Sequence, residues 1–121
     1  MSDIISKVCS IPRDFHFYQN KSVTQLFNES GYLEQPETVT KDRLTDHLIA
    51  NPELINDWET YSSDKRYSPA WYLLKNNSEW IVGYSGTPSQ EQKQTFTSGC
   101  DACAEFILRE LRQFAEHARH S

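Results

Sequence analysis

Trp71-Tyr72-Leu73-Leu74-Lys75-Asn76-Asn77-Ser78-Glu79-Trp80-Ile81-Val82-Gly83-Tyr84 is the stretch at which the pattern of this chain changes. Two runs rich in aromatic and branched residues flank a polar, Asn-rich segment, and Trp80, Val82 and Tyr84 alternate onto one face, which predicts a β-hairpin with its turn across Lys75 to Glu79. Gly86-Thr87-Pro88-Ser89-Gln90 then breaks the chain, and Gln94-Thr95-Phe96-Thr97 reads as a third short strand. The result is a small antiparallel meander.

Downstream of the meander the apolar period becomes helical. Ala104, Ile107, Leu108, Leu111, Phe114, Ala115 and Ala118 make one stripe, with Glu105, Arg109, Glu110, Arg112 and Glu116 on the polar side, so a C-terminal amphipathic helix is expected to cover the sheet. Upstream, Ile4, Ile5, Val8 and Ile11 predict a short helix ended by Pro12. Ser22 precedes Val23, Leu26 and Phe27, with Gly31 in a stop position, for a second helix on which Tyr32 and Leu33 pack back. Thr40 is the expected N-cap of a third, carrying Leu44, Leu48 and Ile49 on one face. Asn51-Pro52 ends that helix and starts another, in which Leu54, Ile55, Trp58 and Tyr61 recur at helical spacing. The expected architecture is a single α+β domain spanning residues 1–121: N-terminal helices, the meander, and a C-terminal helix packed on the sheet.

The chain has 121 residues, 17 Asp and Glu against 12 Lys and Arg, and a formal net charge of −5. One hydrophobic core suffices at this length without metals or disulfides, and the 12% aromatic content excludes a disordered tail. No apolar run approaches the roughly 20 residues of a membrane span. The opening Met1-Ser2-Asp3-Ile4-Ile5-Ser6-Lys7 lacks the basic start and apolar block of a secretory leader, and three cysteines suit a reducing compartment, so a cytoplasmic location is expected.

Motifs with a catalytic reputation fail in context. Cys100-Asp101-Ala102-Cys103 opens a helix after a strand, the setting of a redox pair, but too little chain follows for a thioredoxin-like domain. Cys103 and His117 lie about 21 Å apart on one helix and cannot share a zinc ion. Gly83-Tyr84-Ser85-Gly86-Thr87 lacks the last glycine of a nucleophile elbow, and Ser85 reads instead as the end of an edge strand. Glu91-Gln92-Lys93 lies in a polar loop with no strand around it, unlike a nuclease metal site. No catalytic residue, metal site or cofactor is expected, and the chain is read as a non-enzyme.

Charge placement is more informative. Residues 22–64 hold nine acids against Lys41 and Arg43, a net −7, whereas the remainder carries +2. Such a field repels nucleic acid and anionic membranes and steers basic proteins toward that face. Aromatic residues are mixed in. If Leu54, Ile55 and Trp58 face the core, Glu53, Asp57 and Tyr61 form a ridge beside them. The partner-binding residues expected on this ground are Glu34, Asp42, Asp46, Glu53, Asp57 and Tyr61.

The acidic stretch Asn51-Pro52-Glu53-Leu54-Ile55-Asn56-Asp57-Trp58 and the aromatic segment Ser63-Asp64-Lys65-Arg66-Tyr67-Ser68-Pro69-Ala70-Trp71-Tyr72, set in a short α+β chain, resemble the small acidic immunity proteins of bacterial contact-dependent and other polymorphic toxin systems. The likeness is of general type across residues 22–115, and no residue role is carried over from it. It implies a cytoplasmic, monomeric or weakly dimeric antidote that binds a cognate toxin domain with a basic surface, often a nuclease, and blocks it without a cofactor. A small acidic secretion chaperone or adaptor is the alternative, and a redox protein using Cys100 and Cys103 a further one.

Overall fold

Asn77 adopts a positive φ of 58°, a conformation that Asn tolerates better than most residues. The hairpin therefore closes more tightly than its polar segment suggests: β1 (Ala70–Asn76) and β2 (Glu79–Ser85) pair until Asn76 faces Glu79, leaving only Asn77 and Ser78 in the turn. The computed structural model describes residues 4–17, 22–64, 70–85 and 92–120. β3 (Gln92–Phe96) joins β2 to give an antiparallel sheet in the order β1-β2-β3. Two expectations change with this register. Gln92 and Lys93 lie within a strand rather than in a polar loop, and Ser85 ends the central strand rather than an edge strand. The breaker segment 86–90 and Glu91 lie outside the described residues.

One side of the sheet carries Trp71 opposite Tyr84, Leu73 opposite Val82, and Trp80 opposite Phe96. Helix α6 (Gly99–His120) packs on that side. At its start Gly99 approaches Trp80 so closely that an added Cβ would stand 3.0 Å from the indole, and nearly three turns along the Arg109 guanidinium lies 4.9 Å from the Trp71 ring centroid. Leu73 and Val82 are buried beneath the helix. The expected α+β architecture, with a C-terminal helix on a small meander, is the observed one.

The N-terminal half folds around the other side of α6. Helix α1 (Ile4–Cys9) is followed directly by α2 (Ile11–Phe17), so Pro12 does not end helical structure. It stands in the first turn of α2, where a missing N–H leaves no bond unmade. Ser22 caps α3 (Val23–Glu29) by accepting from the Gln25 N–H, and Gly31 terminates it with φ +88°. Tyr32 folds back into the core while Leu33 remains exposed. A 3-10 turn at Pro36–Thr38 leads to α4 (Lys41–Ala50), capped by Thr40, whose Oγ1 accepts from the Arg43 N–H at 3.3 Å. Asn51 closes α4 by donating its side-chain amide to the His47 carbonyl (3.0 Å), and α5 (Glu53–Asp64) follows.

Aromatic contacts tie these layers to α6. Phe27 stacks on Phe114 at 5.0 Å between centroids, and Trp58 meets Tyr61 and Phe106 edge-on at 5.4 and 5.9 Å. The Trp58 Nε1–H donates to the Cys9 carbonyl (2.8 Å), which fastens the α1–α2 junction to α5. On the opposite flank, the Leu73 N–H donates to Ser62 Oγ at 2.7 Å, so α5 lies against the outer edge of β1.

The α6 stripe is buried at Ala104, Ile107, Leu108, Leu111 and Phe114 and half-buried at Ala115; the Ala118 side chain lies outside the described residues. Glu110, expected on the polar side, is only 5% exposed. The cause is that α6 has neighbours on two sides, the sheet on one and α3, α4 and α5 on the other, so its buried arc exceeds a single amphipathic stripe.

Candidate protein-binding surface

Helix α4 presents the clearest division of labour in the acidic segment. Leu44 and Leu48 are fully buried, while Asp42, Arg43, Asp46, Ile49 and Ala50 are exposed. At about 100° per residue, Asp42, Asp46 and Ile49 fall within an arc of about 60° on the side opposite the two leucines. Ile49, expected in the core beside Leu48, is 62% exposed. The physical reason is angular: it stands about 100° from Leu48 and about 140° from Leu44 around the helix.

The six expected site residues separate into two groups. Glu34 is exposed in the turn after α3, Asp42 and Asp46 on α4, and Glu53 at the start of α5, and none of them makes an ion pair among the described residues. Glu37, in the 3-10 turn, is exposed as well. Asp57 and Tyr61 do other work. Asp57 is half-buried and accepts from Arg13 Nε at 2.9 Å, bridging α5 to α2. Tyr61 is half-buried and sets its ring against Trp58 and Phe106. The expected ridge of Glu53, Asp57 and Tyr61 therefore runs from solvent into packing, and only its first member stands open. The Arg13–Asp57 pair is itself too exposed to contribute more than about 0.2–1 kcal/mol to stability.

Lys41, one of the two bases in the segment, is also committed to the fold. Its Nζ lies 3.8 Å from Glu105 Oε1 and 5.0 Å from the Phe96 ring centroid. Glu105 also accepts from Arg109 Nε at 2.6 Å, the same arginine that covers Trp71. A cation that would soften the negative face is thus drawn to the seam of α4, α6 and the sheet. The exposed surface of α4 keeps Asp42, Asp46 and Arg43.

No family model, curated protein or solved structure matches this chain.

Among the described residues no group of three His, Cys, Asp or Glu side chains is placed to hold a metal, and no helix is long and apolar enough to cross a membrane. None of the three cysteines is joined in a disulfide: Cys9 and Cys103 are buried and Cys100 half-buried. Burial raises the Cys103 thiol pKa well above its ordinary value, with Cys9 and Cys100 adding to the effect. Burial, then the Asp101 carboxylate, raises that of Cys100. Activated thiols show the opposite shift. Alkylation near neutral pH should therefore modify Cys100 more slowly than a free cysteine and leave Cys103 untouched until the protein unfolds; rapid labelling of Cys103 in the folded chain would contradict this. The stability that these protonated thiols contribute is fully present below about 8.5, the ordinary thiol value. It is lost as pH rises through the folded values, because the unfolded chain releases those protons first.

Ile49, like Leu33, is a residue that apolar pattern reading misplaced. The signal for it was available in the wheel angle relative to Leu44 and Leu48.

Proposed function

We propose that this chain is a toxin-neutralising immunity protein, which binds a cognate toxin domain with a basic surface and blocks it sterically and electrostatically. One observation carries the reading: Asp42 and Asp46 stand open around an exposed Ile49 on a capped helix whose opposite side is anchored in the core. A rigid acidic face accelerates encounter with a basic partner and disfavours others. Glu34, Glu37 and Glu53 extend the same sign of charge along the segment. The resemblance to immunity proteins agrees in type with such a surface, and the raised thiol pKa values favour no thiol chemistry in its place.

Co-expression tests the reading. The gene immediately upstream should arrest growth when induced alone, and growth should return, with a stable complex recovered, when this chain is supplied. Toxicity that the chain does not relieve, or a harmless upstream product, would remove the immunity role and shift weight to a secretion chaperone.

A further inference from the structure

We infer that Ile49 is the apolar anchor of the docking surface and enters an apolar pocket of the partner protein that is rimmed by lysine or arginine side chains. This rests on the protein-binding reading above and names the partner chemistry that the surface fits. Among the described residues four large hydrophobics are exposed: Phe15 at 43%, Leu33 at 38%, Leu74 at 40% and Ile49 at 62%. Single apolar side chains on a surface are ordinary, so exposure alone decides nothing, and setting separates the four. Leu74 has Ile81 opposite it on the neighbouring strand, Phe15 lies on the seven-residue α2, and Leu33 lies in a turn. Ile49 projects from a helix capped at both ends and buried behind at Leu44 and Leu48.

Its surroundings specify what covers it. Asp46 and Asp42 lie one and two turns before it on the same stripe, and exposed Ala50 beside it adds little bulk, so a partner surface can approach closely. Asp42 and Asp46 outweigh the exposed Arg43 on this helix, so the local charge disfavours nucleic acid and anionic membranes and favours a basic rim, while the isoleucine calls for a dry centre; together they describe an interface with an apolar core and a polar margin. The mode is a helix face laid into a groove.

The test uses the full chain and three synthetic helical peptides of about 15 residues, long enough for some helicity. One is built of leucine and lysine, one of serine and lysine with the same lysine positions, and one of leucine and glutamate. Binding is followed by NMR at the isoleucine methyls and the backbone amides. The leucine–lysine peptide should shift the Ile49 δ1 methyl together with the Asp42 and Asp46 amides. The serine–lysine peptide should bind about tenfold more weakly or worse, and the leucine–glutamate peptide should not bind. Ile49→Gln, which keeps a good helix former in place, should weaken the leucine–lysine peptide about tenfold or more, the scale of losing one buried aliphatic side chain. Leu74→Gln should change its affinity less than twofold. Shifts centred on Ile81 or Phe15, equal binding of the serine–lysine peptide, no binding by any peptide, or indifference to Ile49→Gln would overturn the inference. The two readings fail separately. Binding at Ile49 with no rescue of growth would remove the immunity role and leave this surface standing. Undiminished affinity of Ile49→Gln for a toxin that the chain does neutralise would remove the surface and leave the role.

Discussion

Trp58→Ala should destabilise the fold by about 3–5 kcal/mol, which for a domain whose whole stability is about 5–15 kcal/mol unfolds a large share of the population. Trp58 is fully buried and holds three relationships at once. Its ring meets Tyr61 and Phe106 edge-on, which joins α5 to α6, and its indole N–H reaches the Cys9 carbonyl, which joins α5 to the first two helices. Removing the ring leaves a cavity where three layers meet, and removing the donor breaks the hydrogen bond to the Cys9 carbonyl at the α1–α2 junction. The two contributions separate in Trp58→Phe, which keeps most of the apolar volume and should cost about 0.5–1.5 kcal/mol for the lost hydrogen bond. Chemical denaturation of the wild type and both variants measures them. A loss below about 1 kcal/mol for Trp58→Ala would contradict the central place given to this residue.

The same residue shows what was legible in the sequence. Leu54, Ile55 and Trp58 recur at helical spacing, and all three are buried as that spacing requires. Local chemistry was equally direct at Ser22, Thr40, Gly31 and the Asn51-Pro52 break, because a cap or a positive φ is decided by one or two residues. Misreadings arose where a residue's role depends on position within an element or on distant neighbours. Pro12 breaks a helix in its interior but suits a first turn, and the short α2 makes it the latter. Glu110 reads as polar on one stripe, yet α6 has neighbours on two sides.

The candidate surface was legible in sign and general location. Asp42, Asp46, Glu34 and Glu53 were expected on the exterior and are exposed. Asp57 could not be sorted from them, because its partner Arg13 lies 44 residues away in sequence. Tyr61 could not either, since its place against Phe106 depends on how α5 docks on α6. Ile49 is the instructive error: grouping it with Leu44 and Leu48 put it inside, although its angle around the helix already set it off their side, and the fold leaves it exposed near Asp46.

Charge reversal on α4 should have the largest effect on recognition. Asp42→Lys with Asp46→Lys replaces the two acids that precede Ile49 on its stripe of α4 and changes the net charge by four, without touching the buried leucines or the Arg13–Asp57 bridge. Glu79→Lys with Glu116→Lys makes the same change in net charge at exposed positions outside the acidic segment. A comparison of the two pairs thus separates the acidic face from overall charge. Asp42 also lies in the first turn of α4, where losing an acid costs about 0.3–1 kcal/mol of stability, so both variants are compared well below their unfolding temperatures.

The decisive measurement is the association rate of each pair with the toxin domain identified by growth rescue, taken across a range of ionic strength. The α4 pair should associate about ten- to a hundredfold more slowly at low salt, with a flattened salt dependence. The control pair should slow by less than about threefold, because screening confines each charge to its neighbourhood. Equal slowing of both pairs, or an unchanged rate for the α4 pair, would contradict the assignment of recognition to this face.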